Sequence, residues 1–376
     1  MTTNRIFLLL LLPLLLLTSC QPARQEGTDK EGDTVALHYA RNLQMVEHEH
    51  YTLATLRNPW DTTQVLHRYA LVDRNEAHLP TLADATTIVR VPLQRAAVFC
   101  AVHSALLCEL GVLDAIGGVT DSEYLTLSAV QHRLHDGSIA DLGSSMAPNL
   151  ERVMELSPDA LMPSPFQNSG GYGRLERLGI PIIECADYME VSPLARAEWI
   201  KFYGRLFGVG ERADSLYAEV ESQYHELKSA TEHVGKRPRL MAEKLVGGTW
   251  YTPGGQSTMG ILYTDAGAHY LWADSPASGS LSLSLEHIME RALDADVWLI
   301  KYHSDHELSY DELANEHSAY KQFRPFREQH IYGCNTGKVR FFEETPFHPE
   351  RLLRNLINIL HPELHVSDSH PYFHAL

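Results

Sequence analysis

Asn149 to Met162 reads NLERVMELSPDALM, and Ser284 to Ile300 reads SLEHIMERALDADVWLI. Each segment opens on a polar residue followed by Leu-Glu, runs through aliphatic positions that include a Met, and places an Asp ahead of an apolar stretch. A capped amphipathic helix leading into a buried strand accounts for that order. Used twice in one chain, the unit predicts two equivalent α/β lobes. Glu151 and Glu286 then occupy equivalent positions in the first turns of equivalent helices. The helix dipole favours a carboxylate there, which is sufficient reason for either one alone. As a matched pair, one per lobe, they suggest a shared task.

Working outward, AAVFCAV (96 to 102) reads as a strand, HSALLCELG as a helix that ends at Gly111, and AIGGVT as the next strand. The rhythm continues through ALMPS, GGYGRLERLG and IPIIECA, which implies βαβ units and a largely parallel sheet. Before it, residues 40 to 95 hold the β-like runs YTLATL, RYALV and TTIVRVPL, an N-terminal β layer. At Ser192-Pro193 an N-cap with Pro at the first helical position opens a helix in which Leu194, Ile200, Tyr203, Leu206 and Phe207 are candidate core residues. A second helix is expected from Glu211 to about Glu232, with Ala213, Leu216, Tyr217, Val220, Tyr224 and Leu227 forming one apolar stripe. The strand-helix rhythm then restarts with RLMAEKL, STMGILYTDAGA and DVWLIKY, and closes on a helix around PERLLRNLINILHPEL. The fold class is therefore α/β, with two lobes, each a central mostly parallel sheet flanked by helices. One long helix lies between them.

The chain has 376 residues, 44% hydrophobic and 21% charged, which excludes a wholly disordered protein, and its net charge of -17 argues against sequence-independent nucleic-acid binding. MTTNR followed by the apolar run Ile6 to Leu17, interrupted at Pro13, is too short to cross a bilayer and reads as a signal peptide. It ends in Leu17-Thr18-Ser19-Cys20, which resembles the lipobox of bacterial lipoproteins. That resemblance implies cleavage before Cys20 and its lipidation. Removing residues 1 to 19 takes away only Arg5 among the charged side chains, so the charge deepens to -18. The expected organisation is signal peptide 1 to 19, lipid-anchored tether 20 to 35, N-lobe with its β layer 36 to 191, helices 192 to 232, and C-lobe 233 to 376. Cys100, Cys108 and Cys185 lie in apolar stretches and read, with Cys334, as unpaired thiols, although three pairings of four cysteines stay open.

Val91-Pro-Leu-Gln-Arg95, Pro148-Asn-Leu-Glu151 through Ser157-Pro-Asp159, Leu178-Gly-Ile-Pro181, Ser192 to Trp199 and Asp265-Ala-Gly-Ala268 together resemble the class III substrate-binding lipoproteins of ABC importers. The resemblance runs from about Arg95 to His361. It implies two α/β lobes bridged by a long rigid helix with a ligand cleft between them, capture of an iron-siderophore-type chelate in the cell envelope, and delivery to an inner-membrane permease dimer with its ATPase. Haem or cobalamin is the alternative ligand, and no resident cofactor is implied. In that family, glutamates at the positions of Glu151 and Glu286 bind arginines of the two permease subunits. Loops at the strand ends supply the ligand contacts. By position these are His103, Ser104, Tyr124, Ser145, Met146, Phe166, Trp250 and Tyr251; Arg174 either meets an anionic chelate or stays solvated.

A bare Zn or Mn site is the nearest rival, since 21 histidines include His48 and His50, His132 and His135, and His303 and His306. None has a recognised ligand spacing, so no metal site is assigned. An enzyme is disfavoured. Gly333 to Val339 mimics a phosphate loop, but its glycines are one residue too close and Val339 replaces the required hydroxyl.

Overall fold

The computed structural model describes residues 32–77, 79, 82, 85–167 and 171–376. The signal segment, Cys20 and most of the expected tether lie outside these described residues. The N-lobe sheet has four parallel strands in the order 160–162, 96–98, 116–119, 140–141. Its helices include α1 (Ala101–Glu109), α2 (Ser128–His135) and α3 (Leu150–Leu156). The C-lobe sheet runs 269–270, 239–242, 297–302, 331–335, 374–375, parallel except for the last pair, where the chain returns as an edge strand. A three-stranded antiparallel sheet of 245–246, 249–253 and 280–283 lies within the same lobe.

Between the lobes run α4 (Pro193–Ala197), α5 (Ile200–Leu206) and α6 (Gly210–Ala230). The Ser192 hydroxyl accepts the Ala195 N–H at 3.2 Å with Pro193 in the first turn. The five candidate core residues of the first helical stretch are all buried, and so is the α6 stripe apart from half-buried Leu216. With 21 residues, α6 is about 31 Å long. It is fixed to both lobes. Near its start Arg212 donates to the Glu109 carbonyl at 2.7 Å, and near its end the Tyr224 hydroxyl donates to Asp265 at 2.7 Å, with Lys228 on the same carboxylate at 2.9 Å.

The N-terminal β layer is a five-stranded sheet of 33–34, 43–47, 51–57, 65–73 and 86–91, antiparallel except for its last pair. Two carboxylates hold the segment ahead of its second strand. Glu198, fully buried, accepts the backbone N–H groups of His38, Tyr39 and Ala40, each at 2.8 Å. Glu190 accepts those of Arg41 and Asn42 and the Trp199 indole N–H. Replacing Glu198 with Ala orphans three N–H groups, and an unsatisfied buried donor costs about 1–3 kcal/mol. Glu198→Ala is therefore expected to destabilise by several-fold that of an ordinary surface change and to open residues 36–42 to proteases. A variant with wild-type melting temperature and cleavage pattern would refute that role.

Candidate functional site

In the N-lobe, the carboxyl ends of three strands converge. Strand 96–98 leaves through Phe99 and Cys100, strand 116–119 through Thr120 and Asp121, and strand 160–162 through Pro163 to Phe166. With the Ser145-Met146 turn and the Gly171 to Arg174 segment they enclose a cavity of about 740 Å³. Phe99, Met146, Phe166, Tyr172 and Tyr188 give it large apolar faces, and Arg174 is the only cation among its described lining residues. Met146 is 75% exposed and Phe166 48% exposed, surfaces that a bound ligand would cover. Asp121 takes a left-handed backbone conformation (φ 50°) and its carboxylate accepts the Ser145 N–H at 2.9 Å, holding that turn in place. The Tyr172 hydroxyl donates to Glu184 at 3.1 Å and the Tyr188 hydroxyl to the Pro165 carbonyl. Burial, then the Glu184 charge, push Tyr172 far above its usual range, so it stays a neutral donor.

The C-lobe has its own cavity of about 470 Å³ at the corresponding strand ends, lined by Glu243, Val246, Tyr251, Met259 and Lys301 among others. Glu243 follows strand 239–242 with φ 70°, a conformation that costs a non-glycine residue of order 1 kcal/mol and is found preferentially at functional sites. Its carboxylate pairs with Lys301, whose ammonium lies 5.8 Å from the Phe341 ring centre.

Of the residues named from sequence, Ser145, Met146 and Phe166 line the N-lobe cavity and Tyr251 the C-lobe one. Arg174 also lines the former. Tyr124 is exposed but lines neither cavity. His103 and Ser104 are buried inside the first turn of α1, because the strand ends at Val98 and not at Val102. Trp250 is also internal: alternation along 249–253 turns Tyr251 outward and packs the indole against Trp298, Tyr320 and Phe323, with its N–H on the Ala242 carbonyl at 2.9 Å. These three therefore line neither cavity. Sequence reading missed Phe99, Tyr172 and Tyr188, whose aromatic character was the available signal, and Glu243 and Lys301, which carried none.

A second polar region joins the lobes. The Thr126 N–H and hydroxyl both reach Glu343, at 2.7 and 2.5 Å. His348 bonds Glu109 of α1 through Nε2 at 2.6 Å and Glu350 through Nδ1 at 2.9 Å, and Arg351 reaches Glu109 at 3.2 Å. Phe347 lies 5.9 Å from the His103 ring and 5.8 Å from that of Tyr203.

Glu151 and Glu286 are both exposed in the first turns of α3 and of α7 (Leu285–Ala292). Asn149 caps α3 by accepting from Glu151 and Arg152, and Ser284 caps α7 by accepting from His287. The backbone N–H of Glu286 and the Ser284 hydroxyl hold the Glu286 carboxyl below its usual range, so it is anionic at neutral pH. Among the described residues no group of three or more His, Cys, Asp or Glu side chains could hold a metal ion, and no helix is long and apolar enough to cross a membrane. Cys100, Cys108, Cys185 and Cys334 are unpaired; Cys185 and Cys334 are buried, while Cys100 and Cys108 are partly exposed.

Two lobes, each with a parallel sheet core and a cavity at its strand ends, joined by a long helix, have the architecture of a solute-binding protein. The chain belongs to the periplasmic binding protein family, whose model matches residues 103–336. It is 24% identical to an uncharacterised lipoprotein of Methanocaldococcus jannaschii over 75% of this chain and 68% of that one. Its fold is similar to that of a periplasmic haem-binding protein from Pseudomonas aeruginosa, with TM-score 0.58 and 17% identity over 75% of this chain and 97% of the other. It also resembles an ABC-type Fe3+-hydroxamate transport protein from Saccharomonospora viridis, with TM-score 0.54 and 20% identity over 72% and 94% of the two chains. The family match starts at residue 103, so the N-terminal five-stranded sheet lies outside it.

Proposed function

We propose that this protein is the lipid-anchored recognition component of an ABC importer, held in the cell envelope through Cys20, and that it captures an iron-siderophore-type chelate. The observation that carries the ligand class is the N-lobe cavity. About 740 Å³ of space walled by aromatic and Met side chains, with Arg174 as the one cation among the described lining residues, suits a large, flat, partly apolar and anionic complex. Membership of the periplasmic binding protein family and the names of its structural neighbours support the transport role. Handover goes to a permease dimer with its ATPase, with Glu151 and Glu286 as contacts.

The test is the absorbance spectrum of protein purified from its native envelope, because ferric chelates, haem and corrinoids absorb at different wavelengths. A ferric-chelate band is expected; a Soret or corrinoid band would replace the siderophore reading with haem or cobalamin. With a ferric tris-hydroxamate as probe, Phe166→Ala and Arg174→Ala should each weaken binding by about tenfold, the loss of one stacked ring or one desolvated charge contact. Unchanged affinity in both variants would remove the cavity from the binding site.

A further inference from the structure

Cys100 sits where three features converge. It lines the N-lobe cavity, and it occupies the residue just ahead of α1, a nine-residue helix, so its side chain lies at the positive end of the helix dipole. Beside it is His103, whose side chain is 2% exposed. Nε2 of that ring is 2.8 Å from the Asp187 carboxylate, whereas Nδ1 is buried and has no hydrogen-bond partner among the described residues. Asp187 is itself fixed: the Tyr203 hydroxyl donates to it at 2.7 Å and Arg196 Nε at 3.1 Å. The imidazole is thus held with one nitrogen committed to Asp187 and the other buried without a partner among the described residues, close enough to Cys100 for the two side chains to influence each other's charge. A buried polar nitrogen without a partner is costly. A proton passed from Cys100 to Nδ1 would offset that cost by leaving an imidazolium beside a thiolate.

The surrounding charges agree with this. Burial opposes the imidazolium, but the Asp187 carboxylate overrides it and holds His103 at about 9. Burial likewise opposes the thiolate, yet His103 and the Val102 N–H bring Cys100 below the usual thiol range against the opposing Asp187 charge. Cys185, which shares the neighbourhood, is pushed up by burial first and by Asp187 next, so it stays a thiol.

We propose that Cys100 is a reactive thiolate opening onto the ligand cavity and a site of S-thiolation by low-molecular-weight disulfides. The Cys100 sulfur attacks one sulfur of the reagent R–S–S–R, the reagent's S–S bond breaks as the new Cys100 S–S–R bond forms, and RS⁻ departs and takes a proton from solvent. The disulfide is the oxidant, so the step balances without another reactant. The adduct occupies the space beside Phe99 and Tyr188, so a thiolated protein has less room for its solute.

The experiment treats the full chain with oxidised glutathione at pH 6 and maps adducts by mass spectrometry, with partly exposed Cys108 as the internal reference. Cys100 is expected to react about tenfold or more faster than Cys108, and Cys100→Ser to abolish the dominant adduct. His103→Gln should slow Cys100 by about tenfold at pH 6 and by under about twofold at pH 10, where an ordinary thiol is ionised without help. A merely structural role for His103 would slow both rates alike. If His103→Gln does not fold, the wild-type pH profile decides: a Cys100 rate that inflects well below the ordinary thiol range supports the proposal. An inflection at or above that range, or a Cys100 rate at pH 6 no greater than that of Cys108, overturns it.

Discussion

Replacing His348 with Ala is expected to destabilise the folded protein by about 3–5 kcal/mol, the range seen when one partner of a buried ion pair is removed. The imidazole lies between Glu109, on a helix of the N-lobe, and Glu350, at the start of the C-terminal helix Pro349–Leu360, and its own side chain is 5% exposed. Without it, the Glu350 carboxylate stays buried with one oxygen already unpartnered, and among the described residues Glu109 retains only Arg351. The contact also predicts a pH dependence. Burial opposes the charge on His348, but its bonds to Glu109 and Glu350 prevail and raise it to about 9 from 6.5. A raised folded-state value means stability that is fully present below pH 6.5 and lost as pH climbs through about 9. The shift corresponds to about 3 kcal/mol. Urea titrations at pH 6 and pH 9.5 should show that loss in the wild type and a smaller one in His348→Ala. Part of the decline persists in the variant because His103 is also held at about 9. Equal pH slopes in the two proteins would show that His348 does not carry the charge of this contact.

What could be read from sequence was whatever local patterning dictates. The capped helix and strand at 149–162 and 284–300 depend on neighbours within a few residues, and both units formed as read. The stripe on α6 was legible for the same reason. The apolar run 96–102 was not, because a short hydrophobic stretch suits a buried strand and a buried helix equally. Only Ala96–Val98 pair in the sheet; the chain then turns at Phe99 and Cys100, which sends Cys100 toward the cavity and His103 inward. Glu198 looks like a surface charge on an amphipathic helix and is fully buried, since the residues that cover it lie about 160 positions earlier. Glu109 and His348 are 239 positions apart, and Asp187 is 84 from His103. Partners at such separations leave no local pattern in a single sequence.

Reversing the charge at both Glu151 and Glu286, by substitution with Arg, is expected to abolish solute uptake in cells while leaving solute affinity unchanged. Both side chains are exposed and neither lines the N-lobe cavity, so the substitutions do not touch the proposed binding surface. Each carboxylate sits in the first turn of a short helix whose cap comes from another residue, Asn149 or Ser284, so the helices keep their capping bonds. Losing a favourable dipole contact at each position costs only about 0.3–1 kcal/mol, too little to unfold the protein. A docking contact behaves differently. An Arg facing a permease Arg replaces attraction with repulsion, and like charges across an interface cost several kcal/mol per site, enough for a loss of a hundredfold or more when two sites act together. Single reversals should therefore give partial defects and the double reversal a complete one. If the double variant still supports wild-type uptake, the two glutamates serve the helix dipoles alone and the permease docks elsewhere.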